Sequence, residues 1–147
     1  MSDRTDEYEV FSKHMEESYP KMFGKPYGGF CVGKGWWPIL ESLCANIQSH
    51  IDWQQEQKEK YGRGDGCEQV RVQQVKEKFG GLRFYYTGGD NYVQGMVRMA
   101  EVWAARSCEE CGAPGKTRGG GWIRTLCDEH AEEQAQTLKK FSEEIDK

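Results

Sequence analysis

Four residues in the last third of the chain carry the clearest chemistry. Cys108-Glu-Glu-Cys111 and Cys127-Asp-Glu-His130 are two pairs, each with two intervening residues, and fifteen residues separate them. Thiolate sulfur and imidazole nitrogen are donors that zinc prefers, and four of them close a tetrahedron that leaves no position for water. The spacing therefore predicts a structural Zn2+ ion held by Cys108, Cys111, Cys127 and His130, not a catalytic one. Gly112 follows the first pair, where a knuckle needs a tight turn free of a Cβ. Such an ion contributes on the order of 10–16 kcal/mol to folding in finger peptides, as much as the stability of a whole small domain.

Other patterns hold less chemistry. Cys31, Cys44 and Cys67 show no ligand pairing, and Cys44 falls on an apolar helical face. Gly112-Ala-Pro-Gly-Lys-Thr117 has the letters of a phosphate loop, but Glu110 stands where the motif needs glycine and the segment lies between metal ligands. His14-Met-Glu16 with Cys108-Glu-Glu-Cys111 is like a zinc deaminase only in part, since Ser107 replaces the proline before the cysteine pair. Arg63-Gly-Asp65 reads as a turn. No nucleophile and base pair follows from the sequence, so no catalytic residue is assigned and the chain is not expected to be an enzyme.

Several elements must position the ligands. Residues 5–19 read as a helix, with Tyr8, Phe11, Met15 and Tyr19 on one face and Pro20 at its end. Residues 23–37 are a loop rich in glycine and aromatics, of which part should be packed. Pro38 opens a second helix to about Lys60, with Leu40, Leu43, Cys44, Ile47 and Ile51 as its stripe. Val70 to Thr87 alternates as two strands, with Gly80-Gly81 as the turn and a bulge near Gln73-Gln74 where the alternation changes phase. Asp90 caps a third helix, from Asn91 to Arg106, whose buried face takes Val93, Met96, Val97, Ala100, Trp103 and Ala104. That helix runs straight into Cys108, so the finger should be fused to the body, with Trp103 and Trp122 packed where the two meet. Residues 113–126 read as an irregular hairpin, and Cys127 and His130 open a last helix with a stripe of Ala131, Ala135, Leu138, Phe141 and Ile145. The expectation is one α+β domain, a body over residues 1–106 and a fused, treble-clef-like zinc subdomain over residues 107–147.

Composition bounds the role. The chain has 147 residues, 37% hydrophobic, 30% charged and 12% aromatic, with a net charge of −4. That size allows one modest core, and the acidic balance argues against a general binder of nucleic acid or anionic membranes. Residues 1–20 carry six acids against two bases, and residues 127–147 carry seven against three. Lys116, Arg118 and Arg124 form a local basic spot between those ends. No apolar stretch approaches the roughly 20 residues that span a bilayer, and the acidic N-terminus is unlike a secretory signal. Reduced thiols in a cytosol are expected.

The run Val75-Lys-Glu-Lys-Phe-Gly-Gly-Leu-Arg-Phe-Tyr85, with Ala100-Glu101, Cys108-Glu-Glu-Cys-Gly-Ala-Pro-Gly115 and Gly121-Trp-Ile-Arg-Thr-Leu-Cys-Asp-Glu-His130, resembles a family of small uncharacterised proteins from tailed bacteriophages and prophages. The resemblance covers about residues 70–131, and more loosely Gly35-Trp-Trp through Leu43-Cys44. It implies an accessory protein in the cytoplasm of a bacterial host, acting on a host or phage macromolecule, counter-defence included. It brings no activity with it.

The resulting expectation is a non-catalytic, zinc-stabilised binding module with a protein partner and no membrane. Tyr27, Phe30, Trp36, Trp37 and Trp122 are its candidate anchors, since aromatics dominate interface energetics. One alternative is nucleic-acid binding through Lys116, Arg118 and Arg124, extended by Lys76, Lys78 and Arg83. Another is capture of a small nucleotide in the aromatic loop, with Arg83 or Lys34 on an anion.

Overall fold

The computed structural model describes residues 2–24 and 29–145. Among the described residues, four α-helices accompany two small sheets, an α+β architecture as expected. Helix α1 covers Ser2–Ser18 and α2 covers Trp37–Tyr61, the latter opened by Pro38 and closed by Gly62 in the left-handed region. Strands β2 (Arg71–Lys78) and β3 (Gly81–Thr87) form an antiparallel hairpin, and β1 (Phe30–Cys31) adds to β2 in parallel. Helix α3 covers Asn91–Ala104. A second sheet pairs β4 (Lys116–Arg118) with β5 (Arg124–Leu126), and α4 covers Asp128–Ile145.

The core lies between the three-stranded sheet and helices α1, α2 and α3. Met15, Met22, Trp36, Leu40, Ile47, Ile51, Val70, Val75, Leu82 and Val93 are fully enclosed in it. The α2 stripe is buried as the spacing predicts, because residues three and four apart share a helical face. The register shifts between Val72 and Gln74, so Gln73 is the extra residue and the phase change is a bulge.

Three expectations need correction. The hairpin turn is Phe79-Gly80, one residue earlier than the glycine pair suggests, with φ of 53° and 79°. Positive φ at both central residues suits the twist of a two-residue hairpin. Glu77 Oε2 secures the turn by accepting from the Gly80 amide at 2.6 Å. Trp103, expected on the buried face of α3, is half exposed and lines a groove with Ile39, Met96 and Met99. It does not meet Trp122, which lines a different groove with Tyr8 and Glu77. The apolar stripe of α4 is present but uncovered, with Leu138, Phe141 and Ile145 standing 46%, 62% and 69% exposed.

Candidate metal centre

Each ligand pair sits where local structure turns the chain. After α3 the backbone tightens through Ser107 into the Cys108 knuckle, where the Gly112 amide donates to the Cys108 carbonyl and the Cys108 amide to that of Ala113, both at 2.8 Å. Gly112 has φ of 81°, the left-handed conformation the knuckle demands. The β4–β5 hairpin returns the chain to Cys127, and the Ala131 amide bonds the Cys127 carbonyl at 2.9 Å, starting α4. One helical turn then brings His130 over Cys127.

The four predicted ligands are together. Their donor atoms lie within 4.8 Å of one another. Cys127 Sγ is 3.2 Å and Cys108 Sγ 3.6 Å from His130 Nδ1, while Cys111 Sγ is 3.9 Å from Cys127 Sγ. Three thiols and an imidazole at these separations fit a single soft or borderline divalent ion at bonds of about 2.0–2.3 Å. The amide of His130 points at Cys127 Sγ from 3.4 Å and, with the imidazole, holds that thiol down to about 7, so it gives up its proton readily to a cation.

The centre is built into the body by residues 33–36, in the loop whose glycines and aromatics predict only that part of it is packed. The Gly35 amide donates to the Glu109 carbonyl at 2.8 Å, and the Gly33 amide to Glu109 Oε2 at 2.8 Å. A Cβ at Gly35 would stand 2.1 Å from the Cys108 carbonyl oxygen, so only glycine allows this approach. Trp36, fully buried, donates from Nε1 to the Ser107 carbonyl at 2.8 Å. On the other side buried Thr125 bonds through Oγ1 to the Gly80 carbonyl at 2.7 Å, tying the finger to the β2–β3 turn. The glycines around two tryptophans were the available signal, since such close backbone approach needs them.

The candidate surface divides. Phe30 and Trp36 are buried, so their expectation as exposed anchors is corrected. They are core because β1 and the 3-10 turn Lys34–Trp36 fold inward against the sheet and the knuckle. Tyr27 lies outside the described residues. Trp37 is half-buried, stacked on Phe11 at 4.5 Å, and Trp122 is exposed with Arg124 5.2 Å from its ring. Arg124 is engaged internally, 2.6 Å from Glu110 Oε1 and 3.7 Å from Glu109 Oε1. Burial pushes the Glu109 carboxyl up, against the opposing effect of the Gly33 amide and Arg124. Arg118 pairs with Asp128 at 2.7 Å, Lys116 is exposed, and half-buried Arg83 stands directly across from Lys76 on the hairpin.

A cleft of about 760 Å³ opens beside the first knuckle, walled by Val10, Phe11, Trp37 and Pro38, with Cys111 at its edge. Among the described residues no helix is long and apolar enough to cross a membrane. No protein-family model, curated protein or solved structure matches the chain, so the residues themselves carry the functional argument.

Proposed function

We propose that the chain is a non-catalytic binding protein stapled by Zn2+ at Cys108, Cys111, Cys127 and His130, and that it grips a protein partner through α4. The carrying observation is that α4, eighteen residues long, contains no buried residue. Its apolar face nevertheless follows a helical repeat through Leu138, Phe141 and Ile145. In proteins most helical stability comes from packing an amphipathic face, and such a face implies something to cover it. The zinc centre anchors the start of that helix and leaves the rest free to dock. In keeping with the resemblance, the partner is a host or phage macromolecule in a bacterial cytoplasm, with counter-defence as one such role.

The test pairs affinity purification from bacterial cells with a Leu138→Glu/Phe141→Glu variant, in nuclease-treated and untreated lysates. The wild type should retain a partner that survives nuclease, and the folded variant should lose it. Equal retention by both would remove α4 from the interface. Elemental analysis of the purified chain tests the metal, with about one zinc per finger expected.

Nucleic acid is the second reading, favoured by Lys76 standing opposite Arg83. Like charges across a strand pair are costly unless an anion lies between or beside them. The internal pairing of Arg118 and Arg124 counts against a wider basic track. Phosphate contacts would make affinity fall steeply with salt, so a mobility shift seen at low salt and lost at higher salt would favour this reading. Nucleotide capture in the aromatic loop loses its main support with Phe30 and Trp36 in the core.

A further inference from the structure

A second group of metal-type donors lies on the body, away from the finger. His50 from α2, Cys67 from the segment before β2, and Asp90 at the N-cap of α3 bring one ligand atom each within 4.8 Å of one another. We propose that His50, Cys67 and Asp90 form a second, more weakly held site for a zinc-class divalent ion, with one coordination position open to water.

The backbone assembles these donors. Gly88 and Gly89 have φ of 81° and 80° and bend the chain back after β3. The Gly89 amide bonds the Glu68 carbonyl at 3.0 Å, which fixes Asp90 beside Cys67. A Cβ at Gly88 would stand 2.2 Å from the Gln69 carbonyl oxygen, so the bend requires glycine. Asp90 Oδ1 accepts from the Val93 amide at 3.0 Å, leaving Oδ2 for His50 Nε2 at 2.8 Å. The His50 ring stacks on Tyr92 at 4.5 Å and 17°, so its orientation is held. Cys67 Sγ has a 3.6 Å contact to the Glu68 carbonyl.

The donor set selects the ion. Thiol and imidazole disfavour hard, oxygen-seeking cations and suit zinc or cobalt. Tetrahedral bonding at ordinary zinc distances spaces donors by about 3.3–3.8 Å, so the His50–Asp90 pair needs to open by under about 1 Å to admit it. Cys67 and His50 are enclosed on the protein side, while the Asp90 side chain is 35% exposed. The open position therefore faces solvent. Three protein ligands with a free position make this an exchangeable site, unlike the closed one at the finger.

The experiment is equilibrium dialysis of the reduced, full-length, zinc-loaded chain against Zn2+, read by elemental analysis, with Co2+ in parallel. Wild type should saturate at two ions per chain, and His50→Gln should saturate at one while its finger zinc stays bound. Cys67→Ser should do the same. Added Co2+ should give wild type a thiolate-to-cobalt charge-transfer band beyond what the zinc-filled finger contributes, and the band should be missing in Cys67→Ser. Saturation of wild type at one ion with the finger occupied, or two ions retained by His50→Gln, overturns the proposal. If a variant loses its fold, the wild-type stoichiometry and cobalt band still decide it. A failed finger would be distinguished by loss of the ion that Cys111→Ser also removes.

Discussion

The indole Nε1 of Trp36 donates to the carbonyl of Ser107 at 2.8 Å, one residue before the first cysteine of the metal centre. This bond crosses 71 positions of sequence and is buried. It joins the start of α2 to the knuckle, so the body and the finger share one packed junction. Gly35, beside Trp36, completes the junction by its contact with the Cys108 and Glu109 backbone.

Substitutions at that junction should therefore be felt at the metal. Trp36→Phe keeps most of the apolar volume but leaves a buried carbonyl without its donor, at a cost of about 1–3 kcal/mol. Gly35→Ala places a methyl against backbone that has no room to move and should cost at least as much. Urea unfolding followed by Trp fluorescence measures the loss of stability. Release of zinc to a colorimetric chelator should speed up in both variants.

Removing the metal should unfold the finger at least. Without the ion, three cysteines and an imidazole crowded within 4.8 Å have no common attraction to keep them there, and α4 contributes no buried residue. Chelation of the reduced chain should lower far-UV helicity over residues 107–147 and abolish amide protection in β4 and β5. Helicity and protection unchanged after verified metal removal would show that the fold does not depend on the ion.

Phe79 should be a place where the chain gains stability by substitution. It adopts φ of 53° at the hairpin turn and is 70% exposed. A left-handed conformation costs a residue with Cβ about 1–2 kcal/mol, offset in part by the greater chain entropy of glycine, about 0.5–1 kcal/mol. Phe79→Gly should raise stability by about 0.5–1 kcal/mol in a urea titration, with no change in metal content.

Asp90 should make stability fall in acid. Burial raises its carboxyl, but the hydrogen bonds from His50 and the Val93 amide outweigh that and hold it below its ordinary range. A group whose folded pKa is depressed contributes stability above its unfolded value, near pH 4, and loses that contribution as pH falls through the lower folded value. Asp90→Asn keeps an oxygen for the Val93 amide and should flatten this part of the profile. Thermal melts of both proteins between pH 3 and 6 would reveal it, and parallel profiles would count against the assignment.

Much of this molecule was legible as local pattern. The repeat of Leu40, Leu43, Cys44, Ile47 and Ile51 encodes a helix with one buried face, and the phase slip after Val72 encodes the bulge, because side-chain direction follows fixed periods of 3.6 and 2. The four metal-type ligands were readable from spacing alone, since each pair spans only a knuckle or a helical turn. What required tertiary structure were the contacts between distant segments. The fate of Trp36, the pairing of β1 with β2, the exposure of the α4 stripe and the meeting of His50, Cys67 and Asp90 all depend on which surfaces the fold brings face to face. Periodicity states that a side chain has an apolar or ligating character, and only the packed chain decides whether another element lies opposite it.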